Sequence, residues 1–227
     1  RAGRAGLSRP SQAARRFMSR GGRANQLRII AGQWRGRRLA FPNLPDLRPT
    51  PDRVRETVFN WLAPVLPGAR CLDLFAGSGA LGIEALSRGA AETVFVERHP
   101  AAVEALRDNL ARLQAQNARV ERAEALRWLR QPATPFELVL LDPPFGQHLL
   151  EPVCASLEQG GWLAPSAWIY LEAETTPQRP QLPDNWFIIK EKTAGAVCYR
   201  LTRREPPGAV STALVETAWG MPAERLP

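Results

Sequence analysis

The chain has 227 residues, 44% of them apolar and 23% charged, which fits one α/β domain with short appendages and excludes wholesale disorder. No apolar run approaches the roughly 18 to 20 residues that span a bilayer, which excludes an integral membrane protein of the helical kind. The formal net charge of +8 is unevenly placed, because eleven arginines and no acid precede Asp46 and the rest of the chain carries a net −3. Of the 30 cations 28 are arginine, whose planar fork suits phosphate and points to a polyanionic partner. A GC-rich genome explains the arginine excess over lysine equally well, but not the absence of acids from the N-terminal arm. Three scattered cysteines, Cys71, Cys154 and Cys198, form no disulfide framework, so a reducing, cytoplasmic setting is expected. His99 and His148 are the only imidazoles, no cluster has metal-ligand spacing, and no metal is expected.

In chain order, Arg1 to Asn25 lacks hydrophobic period and reads as a disordered basic arm. Two other readings stay open: an organelle transit peptide, or sequence upstream of a natural start at Met18. Leu27 to Ala31, the turn Gln33-Trp34-Arg35-Gly36 and Arg38 to Phe41 predict a β-hairpin with a basic turn. Prolines then punctuate Arg48-Pro-Thr-Pro-Asp52, with Asp52 as expected N-cap of a helix carrying Val54, Val58, Trp61 and Leu62.

From Arg70 onward apolar and helical stretches alternate. Strands are predicted at Arg70 to Leu74, Thr93 to Glu97, Arg119 to Arg122, Glu137 to Asp142 and Ala167 to Glu172. Helices fall at Ala80 to Ser87, Pro100 to Leu113, Ala125 to Leu129 and His148 to Leu157. This order predicts a doubly wound α/β fold with a mostly parallel, Rossmann-like sheet. Asn185 to Lys192 and Val197 to Thr202 predict an antiparallel edge hairpin, and residues 205–227 a loose tail. The domain thus spans residues 26–204: a hairpin and helix (26–64), then the Rossmann-like core (65–204).

The strand Cys71-Leu-Asp-Leu-Phe75 runs into Ala76-Gly-Ser-Gly-Ala-Leu-Gly82, which holds G-x-G-x-x-G at Gly77, Gly79 and Gly82. Glu97 follows Gly77 by 20 residues, at the end of the next strand, where a carboxylate accepts from ribose hydroxyls. Asp73 decides the ligand: an acid facing this turn repels a pyrophosphate, whereas S-adenosylmethionine offers an ammonium, a sulfonium and a ribose. Phe75 and Ser78 in the turn, and Arg98 beside Glu97, are counted with the cofactor site. A helix-capping role is the structural alternative for Asp73.

The second signal is Asp142-Pro-Pro-Phe145 after the strand Leu138 to Leu141. Pro143 and Pro144 stiffen the turn and leave carbonyls free to accept, and Phe145 offers a flat face for stacking. If Asp142 and the Pro143 carbonyl accept the two protons of an aryl amine, they favour a pyramidal nitrogen whose lone pair points at a methyl donor.

The glycine loop with this turn resembles the class I, S-adenosylmethionine-dependent amino methyltransferases. The segments Leu27-Arg-Ile-Ile-Ala-Gly-Gln-Trp-Arg-Gly-Arg37 and Leu47-Arg-Pro-Thr-Pro-Asp-Arg-Val-Arg-Glu-Thr-Val-Phe-Asn-Trp-Leu62 resemble, more narrowly, the bacterial 16S rRNA (guanine(966)-N(2))-methyltransferases, the RsmD family. That resemblance covers about Gln26 to Arg204. It implies methylation of a guanine N2 amine in 16S rRNA of the assembling 30S subunit. It further implies that Thr50 and Arg53 hold the cofactor's carboxylate and that Glu124, with Ala125, approaches the adenine. Arg28, Trp34, Arg35, Arg37 and Arg38 are the expected RNA-binding residues, with the arginines gripping phosphate at the mouth of the crevice and Trp34 stacking. A monomer is expected. Rival readings are a methyltransferase acting on adenine in DNA or on a release-factor glutamine, and a ribosome-assembly factor that uses no cofactor.

Overall fold

The computed structural model describes residues 25–44, 47, 49–176 and 179–206, so the expected arm up to residue 24 and tail from residue 207 lie outside the described residues. Strands β1 (Asn25–Arg28) and β2 (Arg38–Phe41) pair antiparallel, with Leu27 opposite Leu39. Helix α1 (Asp52–Leu62) precedes the alternating run of β3 (Arg70–Asp73), α2 (Ala80–Ser87), β4 (Glu92–Glu97), α3 (Pro100–Leu113), β5 (Ala118–Arg122), α4 (Ala125–Trp128), β6 (Phe136–Leu141) and α5 (Leu150–Gln159). Strands β7 (Leu163–Glu174), β8 (Trp186–Ala194) and β9 (Val197–Arg204) follow.

The seven core strands form one sheet in the order β5-β4-β3-β6-β7-β9-β8, parallel from β5 through β7 and antiparallel where β9 joins β7 and β8. The chain moves outward from β3 to β4 and β5, then crosses back to β6 on the other side. The crevice at the carboxyl ends of β3 and β6 is therefore the switch point at which doubly wound sheets take ligands.

Strand alternation sorts the core into two layers. Cys71, Leu138, Leu140, Tyr170 and Leu201 pack under α1, α2, α3 and the N-terminal hairpin. Leu72, Leu74, Val139, Leu141, Ile169 and Leu171 face α4, α5 and the tilted ring pair Trp128–Trp162. Asp73, Asp142 and Glu172 continue the first phase, so three acids emerge on the face that carries the hairpin and α1.

Several expectations need correction. Asp52 is the first helical residue rather than the cap: Pro51, with φ −55°, occupies the cap position, its ring pre-setting the backbone. Strand β7 starts at Leu163, four residues before the predicted start, with a register shift opposite Phe136/Leu138; an irregular ladder accommodates Pro165, which reads locally as a strand breaker. Asn25, assigned to the arm, pairs with Phe41. Glu205, assigned to the tail, is buried, and its N–H donates to the Asn185 carbonyl. No helix among the described residues is long and apolar enough to cross a membrane.

Candidate active site

The turn after β3 needs its glycines for different reasons. Gly77 and Gly79 have φ of 52° and 78°, in the left-handed region. Gly82 lies inside α2, and a Cβ there would sit 2.3 Å from the Phe95 ring and 2.9 Å from Asp73 Oδ2. A bare backbone thus brings the helix onto the sheet. Asp73 is 2% exposed, and its Oδ2 accepts from the Gly82 N–H at 2.9 Å. Burial, reinforced by the charge of Glu97 and opposed by the Gly82 hydrogen bond, pushes its pKa up to about 7. The expectation of an acid facing a ligand is corrected: Asp73 lies beneath the first turn of α2 and acts on the crevice through its field.

Glu97 is half-buried at the end of β4, and both oxygens are fixed by backbone donors. Gly77 N–H donates to Oε2 at 2.8 Å and His99 N–H to Oε1 at 2.7 Å. A carboxylate has about four acceptor sites, so each oxygen keeps capacity for a diol, and the contact with Gly77 ties it to the glycine turn. Phe75 is half-buried, Ser78 buried and Arg98 exposed. Glu124, one strand further out, caps α4 by accepting from Leu126 N–H at 3.1 Å and Arg127 N–H at 2.9 Å, with Ala125 buried behind it.

Beside the glycine turn, Asp142 stands at the end of β6. Pro143 is buried, Pro144 half-buried, and Phe145 is 42% exposed, an apolar ring held in solvent next to a carboxylate. Thr50 reaches across from the segment before α1: its Oγ1 lies 3.4 Å from Asp142 Oδ2 and 3.1 Å from Glu172 Oε1. Tyr170 donates its hydroxyl to the same Glu172 oxygen at 2.7 Å. Burial first, then the charges of Glu172 and Asp73, hold the Asp142 carboxyl well above the usual range. Burial also raises Glu172, against the hydrogen bonds from Tyr170 and Thr50.

Thr50 therefore touches two carboxyls of the chain. A ligand carboxylate there would meet two carboxyls that already occupy the hydroxyl, so the structure does not give Thr50 the partner that the resemblance implied. Arg53 is exposed on the first turn of α1, a turn from Thr50 and able to reach an anion from solvent.

The sequence reading missed the network that fixes Thr50. Arg55, 1% exposed, donates to the Thr50 carbonyl at 3.2 Å, the Arg28 carbonyl at 2.9 Å and Asp52 Oδ1 at 2.6 Å. Its Nη1 lies 3.6 Å from Glu84 Oε2. Glu84 is fully buried in α2 and accepts from Ile30 N–H, Ala31 N–H and Arg88 Nε. Two signals were present: an acid in the otherwise apolar Ala80-Leu-Gly-Ile-Glu-Ala-Leu86, and an arginine in phase with Val58 and Leu62.

The basic hairpin is placed differently from expectation. Trp34 is 8% exposed and belongs to the core, its backbone N–H donating to Ser87 Oγ at 3.1 Å, so it is no stacking platform. Gln33 N–H donates to the Ser87 carbonyl and Arg37 Nη2 to the Arg112 carbonyl. The turn thus sits at the C-terminal ends of α2 and α3, about 12 Å along α2 from the glycine loop, not at the mouth of the crevice. Arg28, Arg35 and Arg38 are exposed.

Comparison with known proteins agrees with this layout. The Geobacter metallireducens precorrin-6y C5,15-methyltransferase shares the fold, with a TM-score of 0.55 at 21% identity over 73% of this chain and 94% of that one. Fold and site together define a Rossmann-like methyltransferase. The family model described as Conserved hypothetical protein 95 matches residues 27–203, and the chain belongs to that family and to that of the relatives named ribosomal RNA small subunit methyltransferase D. The Escherichia coli (strain K12) member is 54% identical over 82% of this chain and 93% of its own length. The one from Haemophilus influenzae is 46% identical over 78% and 93%. The solved Escherichia coli protein yhhF superposes with a TM-score of 0.76 at 54% identity, covering 80% of this chain and 99% of that one.

Proposed function

We propose that the protein methylates the exocyclic N2 amine of one guanine in 16S rRNA within the assembling 30S subunit, as a cytoplasmic monomer, with S-adenosylmethionine as donor. The observation that carries this reading is the acceptor-lined turn at Asp142, set beside the glycine loop at the switch point of the sheet. The names of the family members support RNA as the substrate.

The donor set fits the cofactor. Glu97 keeps two braced oxygens for a ribose, Gly77 leaves its backbone bare, and Asp73 together with the acid pair Asp142 and Glu172 keeps the crevice net negative for a ligand bearing an ammonium and a sulfonium. In this reading Arg53 holds the cofactor's carboxylate, and the start of α4, at Glu124 and Ala125, approaches its adenine. S-adenosylmethionine supplies the electrophilic methyl group when bound. Asp142 and the Pro143 carbonyl accept hydrogen bonds from the two amine N–H groups and turn the nitrogen lone pair toward the donor, one proton leaving the nitrogen once it carries the methyl group, while Phe145 stacks on the guanine. Acceptors that strengthen as positive charge grows on the amine stabilise the transition state more than the ground state.

The test offers labelled S-adenosylmethionine with undermodified 30S subunits, naked 16S rRNA, DNA or release factor. Label is expected at a guanine N2 of the 30S substrate; label on DNA adenine or a glutamine amide would replace this reading with a rival. Glu97→Ala is expected to weaken cofactor binding by about 1.5–3 kcal/mol, the scale for losing a hydrogen bond to a charged group. Unchanged affinity by calorimetry would confine Glu97 to bracing Gly77 and His99.

The hairpin arginines give an independent expectation. Arg35→Ala with Arg38→Ala should weaken binding to the 30S particle and flatten the log–log salt dependence by roughly 0.7 to 0.9 for each phosphate no longer gripped, with cofactor affinity unchanged. Arg37 is left intact because it holds α3. An unaltered salt slope would move RNA recognition to another surface.

A further inference from the structure

We propose that Glu172, acting through the Thr50 hydroxyl, is a positioning residue for Asp142: the two carboxyls share one proton across that hydroxyl, so that the pair carries a single negative charge at the turn after β6. The inference rests on Asp142 being the acceptor of the amine protons, as above.

Counting donors carries it. A threonine hydroxyl has one proton to give, yet Thr50 Oγ1 lies within hydrogen-bonding distance of two carboxyl oxygens, 3.1 Å from Glu172 Oε1 and 3.4 Å from Asp142 Oδ2. If both acids were ionised, one of these contacts would set two lone pairs against each other. A single proton on the pair removes the conflict, because one carboxyl then donates to Thr50 while Thr50 donates to the other. Both carboxyls are withdrawn from water, Glu172 4% exposed and Asp142 half-buried, and an ionised carboxylate costs more the further it lies from water.

The groups around the pair leave one negative charge on it rather than two. Tyr170 on β7 donates to Glu172 at 2.7 Å, Tyr199 on β9 is the register partner of Glu172, and Asp73 on β3 sets a further negative charge against Asp142. From α1 comes Arg55, whose guanidinium donates to the Thr50 and Arg28 carbonyls and to Asp52 and lies against Glu84. It fixes Thr50 in place and leaves the pair to settle its charge with a proton. Together, β7 and the segment before α1 hold Asp142 in one orientation at the turn after β6.

Carboxyl 13C NMR titration of the full chain without ligands reads the pair directly. Coupled acids titrate in two steps, and the upper step is expected at least one pH unit above the ordinary range of about 3.9 to 4.3. Glu172→Gln and Asp142→Asn should each leave one step and abolish the upper one, so either variant suffices if the other fails to fold. Single-turnover methylation should fall above the upper step in the wild type, and that alkaline fall should vanish in Glu172→Gln. Thr50→Val should lose at least tenfold at the optimum with the Michaelis constant for RNA unchanged, and Thr50→Ser should restore the rate. Two independent steps within the ordinary range, unmoved by either substitution, overturn the proposal even if RNA is methylated. Coupled steps in a protein that methylates no RNA leave the pair standing and remove the functional reading instead.

Discussion

Replacing Asp142 with alanine is expected to lower single-turnover methyl transfer by about 100- to 1,000-fold, the scale for losing one preorganised electrostatic group, while cofactor affinity changes by no more than a few fold. Asp142 is the one charged acceptor on the Asp142-Pro-Pro-Phe145 turn, and its partner is an amine that becomes cationic only as the methyl group arrives. A contact that strengthens in the transition state appears in the rate and hardly at all in ground-state binding. Asp142→Asn keeps an acceptor oxygen without the charge, so its rate should fall between the two. Rapid quench with a saturating complex separates these cases, and a near-normal rate for the alanine variant would end the proposed role.

The second large effect is expected far from the reacting atoms. Glu84→Ala should cost about 3–5 kcal/mol of stability, the usual loss when one partner of a buried ion pair is removed. Its carboxylate serves Arg55, Arg88 and the backbone N–H groups of Ile30 and Ala31. Without it the guanidinium of Arg55 stays buried with one partner fewer, and the hairpin loses its anchor on α2. Urea unfolding measures the change, and hydrogen exchange at Ile30 and Ala31 should rise with it. A loss under 1 kcal/mol would show that water enters and replaces the carboxylate.

How much of this was readable in the sequence depends on the reach of each interaction. The parallel sheet was readable because β3, β4 and β6 are short apolar runs bounded by glycine and proline, and the turns at Gly77 and Asp142 carry their geometry in adjacent residues. Glu97 was readable because a strand and a turn set its spacing from Gly77. Trp34 was not: a tryptophan among arginines resembles a stacking platform until Ser87, 53 positions later, packs beneath it. Thr50 belongs to the same class, since its partners lie 92 and 122 residues downstream. No local pattern announces a hydroxyl that bridges two acids from different strands. The buried Arg55–Glu84 pair lies between these extremes, visible as two misfits of polarity whose mutual contact only the fold reveals.

The place of β9 has a consequence for how the protein is made. It is the last strand among the described residues, yet it is inserted between β7 and β8, with Tyr199 beside Glu172. A chain emerging from the ribosome presents β7 as an open edge until residues 197–204 follow, with Glu172 on that edge in contact with water. The environment that sets the charge of the acid pair is therefore closed by residues 197–204. A nascent chain that stops short of them lacks the wall behind Glu172, however much of the glycine loop and the β6 turn it already contains.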